Sequence, residues 1–133
     1  MSATRELPIA TNGDVVVVRQ QTRILAAEIG LSLVDQTKIV TAASELARNA
    51  LVHAGGGRVL IEMLEGGRRP GLRLVFTDEG PGIPDIAQAL TEGWSTAGGL
   101  GLGLSGSRRL VDEFDLVSAP GEGTRVTVTK WGR

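Results

Sequence analysis

Apolar residues along this chain recur at two spacings, and the switches between them predict its elements. LPIA (7–10) is a short strand candidate closed by TNGD. Asp14 is placed to cap a helix whose apolar positions Val15, Val18, Leu25 and Ile29 follow helical spacing, with Gly30 as its stop. The consecutive valines 15–18 pull the other way, toward a strand, because β-branched side chains are stiff in a helix. Ser32 followed by Asp35 is an N-cap signature for a second helix running to about His53, and GGG (55–57) ends it. RVLIEML (58–64) and LRLVFTD (72–78) are β-like runs joined by a hairpin connection, EGGRRPG. PDIAQALTEG (84–93) and SGSRRLVDEF (105–114) have helical patterns, separated by the loop around GGLGLGLSG. DLVSA (115–119) and TRVTVTKW (124–131) are strands flanking the turn PGEG. Paired strands grouped between helices predict an α+β two-layer sandwich, a mixed and mostly antiparallel sheet with helices on one face.

Composition narrows the function classes. A chain of 133 residues suits one domain, 1–133, with one core. Formal charge of −1 gives no basic field for nucleic acid, and 3% aromatics with no Tyr give no base-stacking platform. With no Cys there is neither a disulfide framework nor a cysteine-ligated zinc, and a lone His leaves few other metal sets. The N-terminus lacks the apolar core of a signal peptide and no stretch approaches a membrane span, so the expectation is a cytoplasmic protein with no membrane partner.

Four short stretches carry the candidate chemistry. SELARNALVHA (44–54) is helical in composition, yet it sets Glu45 and Asn49 one turn apart on one face, beside Arg48. Asn is a poor helix former, so an acid and an amide bordering an apolar stripe point to a site. His53, at the end of that helix, has the simpler role of stabilising the helix C-terminus. DEGPGIP (78–84) begins where a strand ends. Its Gly80 and Gly82 let a flat ligand approach the backbone, and Asp78 is a carboxylate able to accept from an exocyclic amine. GGLGLGLSG (98–106) precedes a helix, so its backbone N–H groups suit an anion nest. GLGLSG also fits G-x-G-x-x-G, but no strand leads into it, which rejects a dinucleotide-binding fold. GEGT (121–124) taken alone reads as a hairpin turn.

In this order, ELARN, DEGPGI, GGLGLGLS and GEGT resemble the N, G1, G2 and terminal G-T boxes of the GHKL (Bergerat-fold) ATP-binding superfamily. The resemblance spans about residues 35–130, which leaves no room for a phosphoacceptor, transducer or sensor domain and points to the stand-alone anti-sigma-factor serine/threonine kinases. WSTAGGLGLGLSGSRRLVDEF is most similar to the switch-kinase branch of the stressosome pathway (RsbT-type). The resemblance implies a Mg-ATP-dependent kinase that phosphorylates a STAS-domain protein and activates a PP2C-type phosphatase by binding it. It implies that Asn49 ligates Mg²⁺ and that Glu45 is the catalytic residue, orienting or deprotonating the acceptor hydroxyl. Asp78 would hold the adenine amine, with Gly80, Gly82 and Ile83 at the pocket wall. Gly99, Leu100, Gly101, Gly103 and Leu104 would line the phosphates, and Thr124 would support the adenine end. No Lys or Arg lies between Ile83 and Gly101, so Arg48 is left either to meet the γ-phosphate or to dock the substrate. Two alternatives stay open: an anti-sigma factor kinase that binds a sigma factor directly, and an ATP-gated binding module without transfer chemistry.

Overall fold

The computed structural model describes residues 4–64, 69–80 and 104–132. Strand β1 (Thr4–Ile9) leads to helices α1 (Asn12–Glu28) and α2 (Leu33–Ala54), then to the hairpin strands β2 (Gly57–Leu64) and β3 (Gly71–Asp78). A short helix α3 (Leu104–Leu110) precedes β4 (Glu113–Ser118) and β5 (Thr124–Trp131). The five strands form one sheet in the order β1-β2-β3-β5-β4, and each neighbouring pair is antiparallel. The mixed sheet that the sequence suggests is thus antiparallel throughout these residues. The expected helix over 84–93 lies outside the described residues, as does most of the connection between β2 and β3.

Helix α1 resolves the conflict posed by its valines. Val15 and Val18 are buried, whereas Val16 and Val17 are about two-fifths exposed, as a one-sided helix requires. Its cap is Thr11 rather than Asp14. Thr11 Oγ1 accepts from the Asp14 N–H, and the Asp14 carboxylate accepts in return from the Thr11 N–H, a reciprocal capping box. The second cap falls where the sequence places it, with Ser32 Oγ accepting from the Asp35 N–H. Gly55, in the left-handed region at φ 74°, ends α2.

One face of the sheet packs against the helices. Val59, Ile61, Leu72, Leu74, Phe76, Val126 and Val128 project from it onto Val18, Leu25, Ile39 and Leu46. Each such apolar side chain contributes about 1.5–3 kcal/mol by leaving water. Helix α2 lies between α1 and α3 and rests on β3.

The helical reading of 105–114 runs too far. Helix α3 stops at Leu110, and Glu113 and Phe114 already belong to β4, paired with Thr129 and Val128. The stop is a long-range one. Asp112 donates its N–H to the Thr129 carbonyl, and its carboxylate accepts from the Trp131 N–H and the Lys130 ammonium.

Lys130 is itself buried, with its Nζ 3.3 Å from Asp112 and 3.6 Å from Asp35 at the start of α2. Burial pushes the Asp112 carboxyl upward, but the Trp131 and Lys130 hydrogen bonds and the charges of Lys130 and Arg69 outweigh it and leave it below the usual aspartate value. A carboxyl lowered on folding adds stability above its unfolded pKa and loses it as pH falls through the folded one. Asp112 is two-fifths exposed, so solvent screening keeps this contribution small. Asp112→Asn is therefore expected to cost about 0.5–1 kcal/mol at pH 7. In thermal melts the difference between variant and parent should shrink as pH falls below the usual aspartate value and through the lowered folded one, where Asp112 too becomes neutral.

Candidate functional site

Two of the sequence-predicted residues, Asp78 and Thr124, meet at one end of the sheet. Asp78 is the last residue of β3 and pairs with Thr124, the first of β5. Thr124 in turn pairs with Ser118, the last of β4. Residues directly opposite on antiparallel strands point to the same face. Phe76 and Val126, two residues along, are buried under the helices, so Asp78, Thr124 and Ser118 form a polar row on the helix-covered face.

Close backbone approaches hold this row. The Gly80 N–H donates to Asp78 Oδ1 at 2.9 Å, which orients the carboxylate just past the strand end. A Cβ at Gly80 would lie 2.5 Å from the Ala54 Cβ, so the turn after β3 touches the end of α2 only because this residue is glycine. Gly123 has φ 78°, and a Cβ there would run into the Asp78 carbonyl oxygen. Asp78 borders two clefts. One, of about 560 Å³, is lined by Ala54, Gly57, Arg58 and Glu79. The other, of about 370 Å³, is lined by Thr77, Ser118, Gly123 and Thr124.

The second part of the site is α2. Glu45 and Asn49 are half-buried and one turn apart, at the border of a stripe in which Ala43, Leu46, Ala47 and Ala50 are buried. Arg48 is exposed. Counting from Ala54, which touches the Gly80 turn, Asn49 is about 7 Å and Glu45 about 13 Å further along the helix axis. A ligand lying along α2 from Asp78 would therefore pass Asn49 before Glu45. An amide oxygen is a hard ligand of the kind Mg²⁺ takes, and that ion asks few ligands of a protein, so Asn49 would be able to hold it. His53 lies in the last turn of α2, where a basic side chain complements the helix dipole.

Leu104 is 3% exposed and packs its side chain in the hydrophobic core, fastening α3, so a contact to phosphate would fall to its backbone N–H. Gly82, Ile83, Gly99, Leu100, Gly101 and Gly103 lie outside the described residues. Ser118 was not among the expected residues, although it closes the polar row. Its signal in the sequence is positional, since the last residue before the turn after β4 faces the first residue of β5.

Among the described residues no helix is long and apolar enough to cross a membrane. The chain matches the histidine kinase-, DNA gyrase B- and HSP90-like ATPase family over residues 34–131. It is 49% identical over 125 residues to the serine/threonine-protein kinase RsbT of Bacillus subtilis, covering 94% of each chain. It is 30% identical over 112 residues to an anti-sigma F factor of Thermoanaerobacter, covering 80% of this chain and 77% of that one. Among solved structures it resembles the RsbU and RsbW domains of a Mycobacterium tuberculosis protein, with TM-score 0.67 and 26% identity. That match covers all of this chain and 33% of the other. A mycobacterial sensor histidine kinase, at TM-score 0.55 and 19% identity, shares the fold. Sheet order, helical layer and matched length agree, and this chain belongs to the histidine kinase-, DNA gyrase B- and HSP90-like (GHKL) ATPase family, with its α+β Bergerat fold.

Proposed function

We propose that this chain is a Mg-ATP-dependent protein serine/threonine kinase of the switch-kinase branch. Its substrate is a serine or threonine on a STAS-domain protein, and it also activates a PP2C-type phosphatase by binding it. The carrying observation is the Glu45–Asn49 face of α2, which leads from the Asp78 row along the path an extended nucleotide would take. Kinship over nearly the whole chain with a serine/threonine-protein kinase supports the same reading.

In this reading Asp78 accepts a hydrogen bond from the adenine amine, and Thr124 completes the polar end of the base pocket. Asn49 offers its amide oxygen to Mg²⁺, which when bound offsets the negative charge of the phosphates. Glu45 accepts the proton of the acceptor hydroxyl as its oxygen bonds to the γ-phosphorus and the bond to ADP breaks. Arg48, exposed one residue from Asn49, would meet either the γ-phosphate or the incoming protein. The anti-sigma relatives favour a second reading of the partner, a sigma factor bound directly.

Incubation with labelled ATP, Mg²⁺ and a purified STAS-domain protein tests the chemistry, with label expected on one mapped serine or threonine. Absence of transfer with nucleotide still bound would leave the gated-binding alternative. Co-purification with a phosphatase supports the switch reading, whereas co-purification with a sigma factor supports the second.

A further inference from the structure

Ser118 and Thr124 face each other across the β4–β5 turn, with their hydroxyl oxygens 2.8 Å apart. That distance alone leaves open which of them donates. A second contact decides it. Ser118 Oγ also lies 2.9 Å from the Gly123 carbonyl oxygen, which can only accept. A serine hydroxyl has one proton, so Ser118 donates to Gly123 and must accept from Thr124. The Thr124 proton is thereby committed to Ser118, and Thr124 Oγ1 turns only lone pairs toward its other neighbours. Beside it on the row stands Asp78, an acceptor when ionised. The polar end of the row thus presents acceptors on two adjacent strands and no hydroxyl donor from Thr124.

We propose that Ser118 is a specificity-determining positioning residue: by fixing the Thr124 hydroxyl as an acceptor, it makes the site prefer a purine with an amino group at its 6-position over one with a 6-oxo group. This rests on the nucleotide reading above. A 6-amino group brings protons to two acceptors, directly or through a water. A 6-oxo group brings lone pairs to lone pairs, a mismatch that leaves polar groups unpaired. With Ser118 removed, the Thr124 hydroxyl is free to rotate and donate to the 6-oxo oxygen.

The test compares binding of ATP, inosine triphosphate and purine riboside triphosphate, which lacks a 6-substituent, by calorimetry on the parent, Ser118→Ala and Ser118→Thr. The parent should prefer ATP to inosine triphosphate. Ser118→Ala should narrow that ratio about tenfold, one hydrogen bond's worth, chiefly by tighter inosine triphosphate binding. Ser118→Thr keeps the hydroxyl on a strand that favours β-branched residues, and should restore the ratio. A Ser118→Ala ratio equal to the parent's, or an equal loss for all three nucleotides, overturns the proposal by leaving Ser118 a structural role alone. A parent that binds ATP and inosine triphosphate equally also overturns it, while the nucleotide reading survives. A parent that binds none of the three removes both.

Discussion

Glu45→Gln is expected to lower phosphotransfer to the STAS-domain partner on the order of 10²–10⁴-fold, the range for loss of one positioned base. Nucleotide affinity should barely change, because the substitution keeps shape and hydrogen-bonding capacity and removes only the ability to take a proton. Glu and Gln have similar helix propensities, and Glu45 is half-buried at the edge of the α2 stripe rather than within it, so the fold should tolerate the exchange. A single-turnover assay gives the rate, calorimetry the affinity, and a thermal melt guards against lost stability. Asn49→Asp provides the contrast on the same helix face. It changes the charge at the proposed metal ligand and should disturb Mg-ATP binding itself. Transfer at the parent rate by Glu45→Gln would remove Glu45 as the base and leave α2 a platform for nucleotide and metal.

The parts of this fold that were legible in the sequence are those decided within a few residues. Ser32 and Asp35 announce the start of α2, and TRVTVTKW alternates as β5 does, because caps and pleats are local. Thr11 and Asp14 form the same kind of box, but with Asp in place of the usual Glu or Gln, so the cap is easily set on the wrong member. The valines of α1 carry a true strand preference. It is overruled by the capping box and by a core that takes Val15 and Val18 from one side. Asp112 ends α3 through Thr129 and Trp131, partners 17 and 19 positions away, which no local window contains. The Asp78–Thr124–Ser118 row likewise exists only through register. Glu45 and Asn49, by contrast, stand out because four residues on a helix is already a spatial statement.

Asp78→Asn is expected to weaken ATP binding roughly ten- to a hundredfold, the worth of a hydrogen bond to a charged acceptor at about 1.5–3 kcal/mol. Its surroundings favour the upper part of that range. The Gly80 N–H donates to Oδ1, so an asparagine would set its carbonyl oxygen there and turn its NH₂ outward. A donor would then face the amino group of adenine, replacing an attraction with a mismatch. Inosine triphosphate, with its 6-oxo group, should lose far less and can gain from the new donor, so the order of preference itself should shift. Gly123 crowds the backbone carbonyl of Asp78, and the asparagine oxygen keeps the Gly80 N–H contact, so an isosteric side chain disturbs neither. The melting temperature should therefore stay close to the parent's. Calorimetry with both nucleotides decides: unchanged ATP affinity with an intact fold would exclude Asp78 from the site, and loss of both nucleotides to the same degree would mean that it holds the pocket's shape without reading the base.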